Sequence, residues 1–142
     1  MAETVSNRFK KALADAGENW PSGDYRMLLL TGSVVADPDD NTLADVIAAP
    51  NVEASDGSYA RQTLASKTNT QDDTNNRANL DCATADFGAL DNETPTAAVI
   101  YRHVDGTNAN DLFVSLHDTG FGAASNGAGY TVTTPNDALR LT

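Results

Sequence analysis

The stretch Thr96–His117, which reads TAAVIYRHVDGTNANDLFVSLH, carries the clearest folding signal in the chain. Its first part, Thr96–Val104, is a nearly continuous run of apolar residues, which is typical of a buried strand. Its last part, Asp111–His117, alternates apolar and polar side chains, as a strand with one buried face does. The polar segment Asp105–Asn110 between them has the composition of a turn. The stretch therefore predicts an antiparallel hairpin, in which Leu112, Val114 and Leu116 point inward and Phe113, Ser115 and His117 point away.

The predicted hairpin also gives the relative positions of the two histidines of the chain. If Val104 lies opposite Asp111, then His103 faces about Leu112 and His117 faces about Ala98. The two imidazoles are then several residue pairs apart. Without a third ligand at matched depth, they do not predict a metal site or a catalytic base.

Short alternating segments bounded by Asp, Asn and Gly recur along the rest of the chain. Tyr25–Thr31, Tyr59–Ala65 and Arg77–Cys82 read as strands, and the polar stretch Ser66–Asn76 reads as an exposed loop or a long hairpin tip. Thr42–Ala49 has the pattern of a short helix. Seven or so strands at this spacing predict an all-β fold, an antiparallel β-sandwich or a small barrel with a short N-terminal helix. The predicted core contains Val99, Leu112, Val114, Leu116, Val132, Leu139 and Leu141.

Length and charge limit the class of protein. The 142 residues fit a single domain, with residues 1–24 as a helix or arm and residues 25–142 as the β body. Charges cancel within residues 1–30, so the whole net charge of −11 falls on residues 31–142. An acidic body repels phosphate backbones and anionic lipid, which argues against a nucleic-acid or membrane partner. The longest apolar stretch, Met27–Leu30, is far too short for a transmembrane segment or a signal peptide.

The N-terminal segment combines a helix signal with a cluster of positive charge. Ser6 is in place to cap a helix, Gly17 to end it, and Val5, Phe9 and Leu13 recur on one side. Two interpretations stay open: the helix packs on its own sheet, or it docks on an acidic neighbour. The residues that form the candidate partner-binding segment are Arg8, Phe9, Lys10, Lys11, Leu13 and Trp20.

Other motifs fail to predict chemistry. Asp37, Asp39 and Asn41 have the alternate spacing of a calcium loop, but Thr42 replaces its glycine and Ala48 its bidentate glutamate. Cys82 is the only cysteine, which excludes an intrachain disulfide and is typical of a buried thiol. We therefore predict no catalytic residue, no metal and no cofactor.

Five parts of the chain, which span about two-thirds of it, resemble small virion proteins of tailed phages. They are Gly57–Leu64, Asp72–Leu80, Thr94–Arg102, Asp111-Leu112 with Leu116–Asp118, and Asn126–Val132 with Leu139–Thr142.

The resemblance implies a β-rich decoration (cement) subunit on the outside of the phage head. Its partners would be the major capsid protein and other copies of itself, and it would be made in the host cytoplasm and end up on the capsid surface. A tail or head-fibre attachment protein is the first alternative. A small hydrolase is the second, although no paired carboxylate or nucleophile stands out.

Overall fold

The computed structural model describes residues 3–121, 126–133 and 139–141. Within them the chain is mostly β, with antiparallel strand pairs throughout, so the predicted all-β class is confirmed. In chain order the elements are β1 Thr4–Val5, α1 Asn7–Ala14, β2 Tyr25–Thr31, α2 Leu43–Val46, β3 Val52–Glu53, β4 Gln62–Thr63, β5 Thr68–Asp72, β6 Arg77–Asp81, β7 Ala85–Asp91, β8 Pro95–Arg102, β9 Leu112–His117, β10 Asn126–Val132 and β11 Leu139–Leu141.

The strands form one large and two small sheets. The large sheet has the order β1-β9-β8-β2-β3, and β4 also pairs with β2. One small sheet is the pair β7 and β10, and the other has the order β11-β6-β5. No closed barrel forms among the strands that the structure describes.

Strands β8 and β9 form the predicted hairpin, with one irregularity. Ala98 lies opposite His117, as the sequence predicts, and Ile100 lies opposite Ser115. Tyr101, however, lies opposite Phe113, so Val114 is an extra residue on β9. Such a β-bulge reverses the alternation of side chains beyond it. The strand therefore sends apolar side chains to both faces of the large sheet.

Both faces of the large sheet are covered. One face packs on the small sheets, where Met27, Leu29, Ile100 and Val114 meet Leu80, Phe87, Leu90 and Val132. The other face packs on α2 and its flanking loops, where Leu28, Leu30, Val99, Phe113 and Leu116 meet Leu43 and Val46. Burial on both faces explains the continuous apolar runs in β2 and β8.

The predicted core is partly right. Val99, Val114, Leu116 and Val132 are buried, whereas Leu112 is only partly buried. Phe113 and Ser115, which were expected to point outward, are also buried, because the bulge and the second covered face remove the simple alternation. The side chains of Leu139 and Leu141 lie outside the described residues.

Two further strand predictions need correction. Only Gln62–Thr63 of the predicted strand Tyr59–Ala65 forms a strand, and Tyr59 turns its ring inward to stack on Phe87. Strand β7 was not predicted. Its pairing with β10 and the burial of Phe87 and Leu90 make it a strand.

Other local predictions are confirmed. The stretch Ser66–Asn76 contains β5 and the tip of the β5–β6 hairpin, and Cys82 is buried. Helix α2 lies inside the predicted Thr42–Ala49 and begins with a capping box formed by Thr42 and Asp45.

Candidate interaction surface

Helix α1 is fixed to the body at its start. Val5 belongs to β1, which pairs with β9, rather than to the helix. The backbone N–H of Ser6 donates to the carbonyl of Val114 at 2.9 Å, and that of Asn7 donates to the carbonyl of Pro38 at 2.8 Å. The Ser6 hydroxyl donates to the carbonyl of Asp40 instead of capping the helix. These bonds hold the helix in one orientation on the body.

The helix ends in a Schellman motif. The N–H of Ala16 donates to Leu13 and the N–H of Gly17 donates to Ala12, at 3.1 and 2.8 Å. The residue in the left-handed conformation is Ala16, with φ 55°. Gly17, the predicted stop, is therefore one residue beyond the position where glycine is most useful.

The apolar residues of the candidate partner-binding segment face inward. Phe9 is 3% exposed and Trp20 is 1% exposed, and Leu13 packs against the same cluster. Both aromatic rings contact Tyr25, with centroid distances of 6.1 Å for Phe9 and 4.8 Å for Trp20. The Trp20 indole also donates to the carbonyl of Asp81 at 2.9 Å. Phe9 and Trp20 therefore stabilise the protein's own core and Leu13 packs against it; a contact of these residues with a partner stays a prediction.

The basic residues of the same segment face outward. Arg8, Lys10 and Lys11 are all exposed. Lys11 forms an ion pair with Asp15 one turn further on. Arg8 and Lys10 make no ion pair or side-chain hydrogen bond with any other residue in the described ranges.

Most other cations of the chain are already paired. Lys67 donates to the carbonyl of Leu64 at 2.9 Å, and the side chain of Arg140 lies outside the described residues. The remaining arginines form the ion pairs Arg26–Asp24, Arg61–Glu53, Arg77–Asp72 and Arg102–Glu18. In the part of the chain that the structure describes, the cations without a carboxylate partner are therefore Arg8 and Lys10 on the outer side of α1, and Lys67, which donates to a backbone carbonyl.

A polar cluster that sequence reasoning missed lies beside β4. Both Arg61 nitrogens Nε and Nη2 donate to the Glu53 carboxylate, at 2.7 and 2.6 Å. The Tyr59 hydroxyl donates to the same carboxylate and accepts the N–H of Leu29. The hydrogen bond to Glu53 raises the pKa of Arg61, and burial raises the pKa of Tyr59. The cluster fixes residues 53–61 against the large sheet and leaves no unpaired group for chemistry.

Asp111 organises the turn between β8 and β9. Its side chain is fully buried, and it accepts the N–H groups of Val104, Asp105 and Gly106 at 2.8, 3.3 and 3.4 Å. Burial opposes its ionisation, but these donors and His103 hold the pKa of Asp111 below its ordinary value. His103 is therefore part of a turn, 3.2 Å from the carboxylate.

The second histidine forms a pair that resembles part of a hydrolase site. The Ser115 hydroxyl lies 3.0 Å from Nε2 of His117. Burial lowers the pKa of His117 to about 4, so the imidazole is neutral at pH 7. Ser115 is 0% exposed, so no substrate reaches its hydroxyl, and the pair acts in packing.

The acidic turn at residues 37–41 is tied up in internal hydrogen bonds. Asp37 accepts the N–H of Asp39 at 2.9 Å, and Asp39 accepts the side-chain amide of Asn7 at 2.8 Å. Asn41 donates to the carbonyl of Asp39 at 3.0 Å. The turn thus supports the start of α1.

Among the described residues, no three His, Cys, Asp or Glu side chains are grouped so as to hold a metal ion.

The aromatic side chains provide no exposed platform either. All nine are among the described residues, six are buried, and Tyr59, Phe121 and Tyr130 are partly buried. No helix in the described ranges is long and apolar enough to cross a membrane.

Comparison of the chain with protein-family models, with curated proteins and with solved structures gave no match.

Proposed function

We propose that the protein is a decoration subunit of a tailed-phage virion, bound to the outside of the head through a surface that includes the exposed side of α1. The proposed partner is an acidic area of the major capsid protein, and the role is structural rather than catalytic. The resemblance to virion proteins of five parts of the sequence, which lie between residues 57 and 142, supports this class. The layered β body, with both faces of its large sheet covered, supports a rigid module.

The observation that carries the proposal is the unpaired positive charge of Arg8 and Lys10. On a chain of net charge −11, nearby carboxylates are abundant, yet no described carboxylate pairs with either side chain. The helix beneath them is fixed by β1 and by the buried Phe9. Because the backbone of the helix is already fixed, only the two side chains lose conformational freedom when they meet a partner, and their charge favours an acidic one.

Such a contact contributes little binding free energy in a single copy, but many copies of it together can hold the subunits on the capsid. An exposed ion pair contributes about 0.2–1 kcal/mol, so Arg8 and Lys10 together supply about 1 kcal/mol. Their main effect is then on orientation and on the rate of association. A repeated capsid lattice, on which oligomeric subunits bind at several points, would convert modest single contacts into stable occupancy.

The alternative of a tail or head-fibre attachment protein receives less support. Binding to host glycans favours exposed aromatic rings, and each of the nine rings is at least partly buried. Phe9 and Trp20, the two aromatic residues of the candidate partner-binding segment, lie in the core.

The test is a binding assay on purified particles that lack this protein. The double variant Arg8→Gln and Lys10→Gln removes both charges and keeps the helix length and the buried Phe9. We expect it to bind particles about fivefold more weakly than the wild type and to show a smaller loss of binding as salt increases. Circular dichroism and melting temperature should stay unchanged, because both side chains are exposed.

The matched control carries Thr94→Glu and Ala109→Glu, two exposed positions outside α1, and changes the net charge by the same amount. It should bind like the wild type. Equal weakening of both variants would mean that only overall charge matters, and full binding by the α1 variant would remove this helix from the contact. Failure of the wild type to bind any head or tail particle would contradict the virion role itself.

A further inference from the structure

Strand β5 is an open edge of the sheet β11-β6-β5. Its residues Thr68–Asp72 pair one to one with Arg77–Asp81 of β6, without a register shift. The outer side of β5 faces no other strand within the described ranges. Four of its five side chains are exposed and the fifth, Asp72, is partly buried, so the strand lies at the surface along its whole length.

The usual protections of an exposed edge are missing from β5. Soluble proteins block such edges with proline, with a bulge or with a charge in the middle of the strand. The sequence TNTQD has no proline, and its ladder to β6 has no bulge. Its only charge, Asp72, is at the end and is paired with Arg77 at 3.0 Å. A regular row of backbone donors and acceptors is therefore available to another strand.

We propose that β5 pairs with β5 of a second copy, antiparallel and centred on Thr70. A two-fold axis through Thr70 places Thr68 opposite Asp72 of the other copy and Asn69 opposite Gln71. Each pair joins a hydrogen-bond donor to an acceptor, and no like charges oppose each other. The pairing joins two three-stranded sheets into one continuous sheet of six described strands.

The flanking residues add charge complementarity to this register. Lys67 precedes the strand and Asp73 follows it, so the axis through Thr70 brings each Lys67 opposite Asp73 of the other copy. Asp73 is exposed. Lys67 donates one N–H to the carbonyl of Leu64, and its ammonium has two more. Two such ion pairs form per dimer, one at each end of the paired strands.

Neighbouring registers lack this match. When a two-fold axis relates two identical antiparallel strands, the axis must pass beside one residue of each strand. The closest alternative registers are therefore centred on Asn69 or Gln71. The first places Lys67 opposite Gln71, and the second places it opposite Asn75. Only the register centred on Thr70 pairs all five residues of β5 and also places Lys67 opposite Asp73 of the other copy.

This pairing goes beyond the proposed function and does not depend on it. The edge belongs to a different sheet from the one that holds α1, so both surfaces can be used at once. The two strands would form about four to six backbone hydrogen bonds, in symmetric pairs, and bury little apolar area, which predicts a weak dimer in solution.

Disulfide trapping tests the pairing and its register. Cys82, the only cysteine, is replaced by Ala, and Thr70→Cys is compared with Thr68→Cys. At the axis, the two copies of residue 70 have Cα atoms about 4.5–5.5 Å apart, within the range of a disulfide. The two copies of residue 68 are about 13 Å apart along the strand. We expect Thr70→Cys to form several-fold more covalent dimer under mild oxidation, and equal trapping at both positions would overturn the proposal.

Charge reversal provides an independent measurement on the otherwise unmodified chain. Asp73→Lys places Lys opposite Lys67 at both ends, and should lower the association constant by about tenfold in sedimentation velocity experiments. Adding Lys67→Asp restores opposite charges and should restore association. If Asp73→Lys has no effect, or if the double variant is as weak as the single one, the Thr70 register is wrong. A wild type that stays monomeric where Thr70→Cys is trapped would also refute it.

Discussion

Acidification is expected to destabilise the protein through His117. Burial lowers the pKa of this imidazole from 6.5 to about 4 in the folded protein. Between these values the unfolded chain binds a proton that the folded protein does not. Stability from the neutral imidazole is therefore present above about pH 6.5 and is lost as the pH falls toward 4.

The size of the effect follows from the two pKa values. A tenfold difference in proton affinity is worth about 1.4 kcal/mol, so the full effect amounts to about 3 kcal/mol. The free energy of unfolding should therefore be about 2.5 kcal/mol lower at pH 4.5 than at pH 7 because of this imidazole. This is a large part of the stability of an ordinary domain.

The assay compares the wild type with His117→Gln by urea unfolding at pH 7 and pH 4.5. Glutamine keeps a polar group within reach of Ser115 but has no proton to gain, and the carboxylates of both proteins titrate alike. The wild type should lose about 2.5 kcal/mol more than the variant between the two pH values. Equal losses, or an NMR titration of His117 near pH 6.5 in a His103→Gln background, would refute the reasoning.

Three further changes test the packing and the turns. Ala16→Gly should raise the free energy of unfolding by about 1 kcal/mol in thermal or urea melts, because Ala16 holds a positive φ at the end of α1; a loss of stability would show that this helix end is wrongly described. Asp111→Ala should cost about 3 kcal/mol, since it removes a buried carboxylate that accepts the N–H groups of residues 104–106, and amide hydrogen exchange there should speed up. Val114→Asp should prevent folding or cause the protein to aggregate, because an unpaired charge would enter the core, whereas Leu112→Asp, at a partly buried position, should cost less; equal tolerance of both would place the inward face wrongly.

Local sequence determined much of the β architecture. The apolar runs of β2 and β8 and the polar turn before Asp111 are enough to predict strands and a hairpin, because side-chain period and turn chemistry act over a few residues. Next to the turn Arg102 lies opposite Leu112, and the bulge at Val114 then shifts the pairing by one residue, so that Ala98 lies opposite His117. The exposed position of Lys10 and Lys11 also agrees with the helix pattern.

Only the tertiary structure decided which side chains are buried in the core or paired with another charge. The bulge at Val114 and the covering of the large sheet by α2 bury Phe113 and Ser115, and neither follows from alternation along β9. The sequence pattern allows Phe9 and Trp20 to form part of a docking surface. In the folded protein both rings contact Tyr25, which the helix pattern alone does not predict. In the same way, Arg8 differs from the paired arginines only in its distance from any described carboxylate. Burial and charge pairing depend on residues distant in sequence, and so these properties become visible only in the folded chain.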